Sequence, residues 1–462
     1  GAKRVDDVLS SSEQTGVMMD LVLFDYKVWG DGNSECWCHF FSWIIDGDNP
    51  DAFYKFWSDS RSRDQIKRDI RYLIARFGYS PSLGFWELTN EMYNSWKSDI
   101  IAPGLQDVVN YIQANDPYNH LVTNSYDGSP GAEVYERMPG IDVSSVHYYM
   151  NDDSWPRADG TYDGDEYMWA VERTKLSEER YDLNGLKPWI SGEFGLWAKR
   201  QYDPDPNNGT QSDVEIRKWE VSRWADADPS HDAAHWIDSV DGSQRDQTGV
   251  FFHNAVWSML MANAFKSSVS NWWTIQFSQW NYQRHYTAPS RYAQTLPFHD
   301  AASLRLSTYS DPAILNGGVL VASSNSNIRV LGRKRGNSAY LWAQNKNNIW
   351  SNRIKDGNSI VAENGTVTIP GFTANADLTV KYFDTISGNV TQTLNSQTDG
   401  SGNLSLNIAL GTDFTTTNKP DVAIQVSGED IPLPTPLISN ISPATYQTGT
   451  NQDVGQGTLS YY

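Results

Sequence analysis

The 462-residue chain reads as an α/β protein, a parallel (β/α)-barrel followed by an antiparallel β-sandwich. Up to Ser310, short apolar runs alternate with amphipathic stretches, the pattern of repeated βα units on a parallel sheet. From Asp311 the runs become short and alternating. Gly, Asn and Asp punctuate them at a spacing of roughly ten residues, as antiparallel strands require.

Taken in order, Val5–Glu13 reads as the end of a helix and Val17–Phe24 as an apolar strand. Gln65–Phe77 sets Ile66, Ile70, Leu73, Ile74 and Phe77 on one helical stripe. Leu83–Leu88 is the next strand, Leu105–Gln113 the next helix. Further strands are predicted at His120–Asn124, Val143–Tyr149, Trp189–Glu193 and Val269–Ile275, with helices at Glu166–Tyr181, Gly249–Ala264 and Ser290–Leu304. That makes six strands, two short of the eight that close a TIM-type barrel. On this reading the first strand here is the third of the barrel and the chain starts inside the second helix. Either a further segment or a second chain then supplies the missing strands, or the fold is open, and the sequence does not choose among these.

The second region offers strands at Val319–Ala322, Asn327–Leu331, Ala339–Asn345, Thr366–Ile369, Leu378–Phe383, Asn389–Leu394, Leu404–Ile408 and Val422–Val426. The turn sequences Asp356-Gly357-Asn358 and Asp399-Gly400-Ser401-Gly402 separate them. Glu429–Leu437 is a semi-rigid Pro-rich linker. The domains are thus 1–310, a (β/α)-barrel; 311–428, a β-sandwich; and 429–462, a linker with a tail or truncated Ig-like module.

The formal net charge of −20 repels phosphate backbones and argues against nucleic-acid binding. No apolar run is long enough to span a membrane. Aromatic residues are abundant, and 17 of the 19 Trp precede residue 281. Such crowding serves a bulky core or a carbohydrate site equally, since sugar rings stack their C–H faces on indoles. Cys36 and Cys38 are one residue apart, too close for an unstrained bridge, and read as packed or free thiols. Asn-x-Ser/Thr acceptor sequences at Asn208, Asn364, Asn389, Asn403 and Asn440 are compatible with an extracellular protein. Asp152, Asp153, Asp159, Asp163 and Asp165 crowd one stretch whose spacing fits no calcium motif, and a solvated acidic loop is the favoured reading.

In parallel barrels functional groups gather at the carboxyl ends of the strands. Two strands here end in glutamate: Phe85-Trp86-Glu87-Leu88-Thr89-Asn90-Glu91 and Trp189-Ile190-Ser191-Gly192-Glu193-Phe194-Gly195. Retaining hydrolysis of a glycoside needs one carboxylic acid to protonate the leaving oxygen and one carboxylate to attack the anomeric carbon. Asn90, beside Glu91, suits a sugar hydroxyl. Glu87, four residues before Glu91, reads as a buried hydrogen-bonding partner.

Arg71-Tyr72-Leu73-Ile74-Ala75-Arg76-Phe77-Gly78-Tyr79-Ser80 followed by Trp86-Glu87-Leu88-Thr89-Asn90-Glu91 resembles the third helix and fourth strand of clan A glycoside hydrolases. The resemblance is closest to family-five-like secreted bacterial enzymes with a C-terminal β-sandwich. It implies that Glu91 is the acid/base. Lys187-Pro188-Trp189-Ile190-Ser191-Gly192-Glu193-Phe194-Gly195 resembles the seventh strand, which makes Glu193 the nucleophile. Val146-His147-Tyr148-Tyr149 is similar to the sixth strand, so His147 would line the subsite and Tyr149 would bond the nucleophile. Trp272-Trp273 resembles the eighth strand, with Trp273, or Trp272 in the other register, as the platform under the sugar. Trp197 is a further candidate for substrate contact. The resemblance covers roughly residues 5–300 and implies a secreted, cofactor-free enzyme acting on a β-linked poly- or oligosaccharide by double displacement. The clan's strand-two arginine has no counterpart, because the chain begins after that strand. A catalytically degenerate, carbohydrate-binding or structural barrel is the alternative.

Overall fold

The computed structural model describes residues 2–25, 52–92, 97–126, 133–151, 165–168, 170–171, 188–197, 246, 248–262, 269–270, 281–296, 303–315, 317–415 and 417–428. Strands β1 (Met19–Asp25), β2 (Leu83–Asn90), β3 (Leu121–Tyr126), β4 (Val143–Asn151), β5 (Trp189–Trp197) and β6 (Val269–Ser270) form one sheet whose spatial order is the chain order. The pairs β1–β2, β2–β3, β3–β4 and β5–β6 are parallel. All six strands start within two residues of where the hydrophobic runs place them. Helices α1 (Ala2–Thr15), α2 (Ala52–Ser58), α3 (Ser60–Phe77), α4 (Ser98–Asn115) and the short α5 (Glu133–Glu136) alternate with the first four strands. The chain separates into two compact units, one built on Gly1–Tyr148 and Ser177–Gly192, the other on Tyr149–Leu176 and Glu193–Ser439.

In the first unit, Ile66, Ile70, Ile74 and Phe77 are the buried stripe of α3, as the periodicity requires, while Leu73 is half-buried. Asp59 caps this helix by accepting the Arg61 N–H. Helix α4 begins seven residues before the sequence-based estimate and contains Pro103. Pro103, the sixth residue of the helix, forgoes the hydrogen bond to the Asp99 carbonyl. Gly104 beside it lets the helix approach α2 closely, for a Cβ there would lie 2.3 Å from the Trp57 carbonyl oxygen.

The second unit contains helices α6 (Val250–Ala262), α7 (Arg284–Ala293) and α8 (Pro312–Leu315), together with strands β7 (Leu304–Ser307), β8 (Val319–Leu320), β9 (Ala322–Ser323), β10 (Ile328–Arg335), β11 (Ser338–Asn345), β12 (Glu363–Ile369), β13 (Asp377–Phe383), β14 (Val390–Gln397), β15 (Leu404–Leu410) and β16 (Asp421–Ser427). A seven-stranded sheet runs β14-β13-β16-β11-β10-β7-β8, and a three-stranded sheet runs β15-β12-β9. Both line one apolar core that includes Val330, Leu341, Val367, Ile369, Leu406 and Ile424.

Two sequence expectations need correction. The helix placed at Ser290–Leu304 is α7, ending at Ala293, and Leu304 begins β7. This strand pairs with β10 and buries Leu306, while the buried Arg305 guanidinium donates to the carbonyls of Ile314 and Ala262. Four residues are too short to reveal their period in sequence. The run Val319–Ala322 is likewise two strands, β8 and β9, which belong to different sheets. The β7–β8 pair is parallel, so the larger sheet is mixed rather than wholly antiparallel.

The central strands of that sheet are buried on both faces. Alternate residues such as Ala339, Leu341 and Ala343 enter the core shared with the small sheet. Their neighbours Tyr340 and Trp342 enter a second core with Trp257 of α6 and Tyr292 of α7. Trp342 stacks on Trp257 at 6.3 Å and on Tyr167 at 5.9 Å. Buried charge is paired throughout this region. Arg329 meets Asp165 through two hydrogen bonds of 2.5 and 3.0 Å, donates to Gln344, and lies 4.0 Å over the Tyr167 ring. Asp165 therefore belongs to the core and not to a solvated acidic loop; the other four aspartates of that stretch lie outside the described residues. His253 joins Asp421 at 2.6 Å and His285 at 2.9 Å. Burial holds His285 well below the usual imidazole range.

Glu166 is completely buried. Asn254 donates to it at 2.6 Å and the Trp350 N–H at 3.1 Å. Burial, reinforced by the charge of Asp165, pushes its carboxyl up to about 8. The folded state retains a proton that the unfolded chain releases near 4.5. This group's stabilisation is therefore complete below about 4.5 and is lost as pH rises through about 8. Glu166→Gln, a neutral isostere, should flatten the fall in urea-unfolding free energy across that window; an unchanged slope would refute the buried neutral acid. Asp165→Ala should cost about 3–5 kcal/mol, because it strands a buried guanidinium, and a measured loss below about 1 kcal/mol would contradict the pairing.

Candidate active site

Strand β2 ends at Asn90, and the residue that follows is Glu91. Its backbone lies in the left-handed region with φ of 59°, uncommon for any residue but glycine and costing about 1–3 kcal/mol. Neighbouring hydrogen bonds hold it there. The Glu91 N–H donates to Ser125 Oγ at 2.9 Å, and the Met92 N–H donates to the Ser125 carbonyl at 2.8 Å. Ser125 lies on β3, whose parallel register sets Glu87 opposite Thr123, so its side chain reaches the point where β2 leaves the ladder. Its own hydroxyl donates to Glu87 Oε1 at 2.5 Å. Both Glu87 and Ser125 are buried, which agrees with the reading of Glu87 as a hydrogen-bonding partner.

His147, on β4, is buried, and its Nδ1 stands 3.5 Å from Glu91 Oε1. The Glu91 side chain retains 15% exposure, enough to meet a ligand. Glu136 accepts from the Ser144 hydroxyl at 3.0 Å and the Ser145 N–H at 3.3 Å, fixing the start of β4. Strand β5 runs alongside, where the Ser144 N–H donates to the Pro188 carbonyl. Gly192 faces this group so closely that a Cβ would lie 2.5 Å from Ser145 Oγ and 2.9 Å from His147 Nε2. The next residue of the strand is Glu193, which is partly exposed. Phe194 after it is buried and stacks on Phe252 of α6 at 5.4 Å.

The remaining candidates fall as follows. Asn90 is partly exposed, with Oδ1 3.4 Å from Ser125 Oγ. Tyr149 lies on β4 and Trp197 on β5; their side chains are outside the described residues. So are Trp272, Trp273, Cys36, Cys38 and the linker from Glu429. Trp57, Trp86, Trp189, Trp257, Trp342 and Trp350 are all buried, so for these indoles the core reading holds. Sequence reasoning missed Ser125 and Gly192. The predicted third strand stopped at Asn124, one residue before the serine. The available signal was parallel pairing itself, which brings a residue just past that end beside Asn90-Glu91. Glu91 and His147 are a carboxylate and an imidazole, donor types a divalent cation accepts, although closed structural zinc sites use four such ligands.

No family model matches the chain. Among curated proteins, it is 27% identical over 144 residues to mannan endo-1,4-beta-mannosidase A of Podospora anserina, covering 30% of this chain and 36% of that protein. It is 26% identical over 215 residues to a probable mannan endo-1,4-beta-mannosidase F of Neosartorya fischeri, covering 42% of each. The chain thus spans less than half the length of these two relatives. Of solved structures, the glycoside hydrolase family 5 mannosidase of Rhizomucor miehei matches at 14% identity with a TM-score of 0.35, over 57% of this chain and 62% of that one. By sequence, part of the chain is thus similar to part of these mannan endo-1,4-beta-mannosidases.

Proposed function

We propose that this chain is a retaining glycoside hydrolase that cuts β-1,4-linked mannan within the chain, outside the cell. The observation that carries the reading is Glu91, set in left-handed backbone at the end of a parallel strand against the buried His147. The names of the mannan-cleaving relatives support the substrate class. We take residues 1–310 as a (β/α)8-type catalytic domain, 311–428 as an accessory β-sandwich and 429–462 as a linker with a tail.

In the first step a Glu193 carboxylate oxygen attacks the anomeric carbon. The bond to the leaving oxygen breaks, and Glu91 gives that oxygen its proton. In the second step the Glu91 carboxylate takes a proton from water, whose oxygen attacks the same carbon and releases Glu193. Asn90 and Trp273 would hold the sugar, His147 and Tyr149 would order the carboxylates, and Trp197 would extend the contact surface. No cofactor enters these steps.

Glu91→Gln and Glu193→Gln should each lower the release of reducing ends from β-1,4-mannan by at least about 10²-fold. Both variants should keep the wild-type unfolding midpoint within a few degrees. Full activity in either variant defeats the assignment of roles. Wild-type protein that binds mannan yet releases no reducing ends from it, or from β-glucan, would favour a degenerate carbohydrate-binding barrel instead.

A further inference from the structure

We infer that Ser125 and Glu87 are positioning residues, a buried clamp that holds Glu91 in its left-handed conformation and so aims its carboxyl at the leaving-group oxygen. This rests on the acid/base reading of Glu91. The Glu91 N–H must donate to Ser125 Oγ, so the serine accepts there. Its single proton goes to Glu87 Oε1 at 2.5 Å, far closer than Asn90 Oδ1 at 3.4 Å or the Thr89 carbonyl at 3.5 Å. The same serine's carbonyl accepts the Met92 N–H. Two consecutive backbone donors are thus tied to one residue, one through the side chain and one through the main chain. A regular parallel ladder offers only main-chain partners, so the side-chain bond is what sets Glu91 apart from the strand it follows.

Removing the hydroxyl takes away the acceptor of the Glu91 N–H, and the segment then relaxes toward an ordinary φ. That swings the carboxyl without deleting it. Glu87 acts one step further back, since it fixes which way the serine hydroxyl points. A shift of about 1 Å in a reacting group can cost about 10²-fold in rate. The cost appears only where the reaction needs the proton.

The test compares kcat/KM on two substrates, β-1,4-mannan, whose leaving sugar oxygen needs a proton, and 2,4-dinitrophenyl β-mannobioside, whose leaving group departs without one. Ser125→Ala and Glu87→Ala should fall about 100-fold on mannan and by less than about threefold on the aryl glycoside, which escapes the need for general acid catalysis. Ser125→Thr and Glu87→Gln keep the hydroxyl and the acceptor oxygen, and should recover most of the mannan activity. Equal losses on both substrates, or no loss on mannan, overturn the clamp. Should Ser125→Ala not fold, the contrast between Glu87→Ala and Glu87→Gln decides, and equality of those two overturns it. Glu91→Gln is the reference. If it lacks the split between substrates, the acid/base reading itself fails; if it shows the split and the clamp variants do not, only the clamp fails.

Discussion

Strands β1 to β4 pair in parallel, and a parallel ladder cannot be closed by a tight turn. Each strand must return through a crossover, here largely helical, before the next can lie beside it. The consequence is directional. Every strand of the run ends at the same side of the sheet, so residues dozens of positions apart in sequence arrive at one edge. Glu91 just past β2, Ser125 near the end of β3 and His147 within β4 lie on three successive strands and meet for that reason. The chemistry proposed for this chain depends on that topology more than on any individual contact.

The second unit answers a different demand. The central strands of its larger sheet are covered on both faces, one by the small sheet and one by α6 and α7, so a charged side chain buried between them has no route to water and is matched instead. Arg329 is held by a carboxylate, an amide oxygen and an aromatic face, and Asp421 receives His253, Trp342 and Thr385. Removing one partner of such a group is costly, because the other remains buried and charged. Glu166, buried without a cation of its own, keeps its proton instead.

In the first unit the polar residues near the strand ends serve geometry. Glu87 and Glu136 each fix a serine; Ser125 in turn holds the Glu91 backbone past β2, and Glu136 also accepts the Ser145 N–H on β4. Gly192 contributes by lacking a side chain, since any Cβ would press on Ser145 and His147. The glutamates themselves were legible from the residues Asn90-Glu91 and Gly192-Glu193 at the ends of apolar runs. His147 was legible only through likeness to a known strand motif. The serine that holds Glu91 was not, because a lone serine after a strand carries no signal until its neighbour across the ladder is known.

By itself the sequence determined the period of its elements. Six apolar runs became six strands of one sheet, and the short alternating runs after Asp311 became paired β-strands, because a two-residue or 3.6-residue repeat commits a segment to one face wherever it packs. It also marked Glu91 at the end of its strand, whereas β5 runs on past Glu193 to Trp197. Only the tertiary structure decided where short or mixed segments went: Leu304–Ser307 to a strand, Val319–Ser323 split between two sheets, and Asp165 to the core beside Arg329. Those outcomes depend on partners more than a hundred residues away or on pairing registers, and no local repeat encodes either. The left-handed backbone of Glu91 belongs to the same class, for it exists through hydrogen bonds to a strand that the local sequence does not contain.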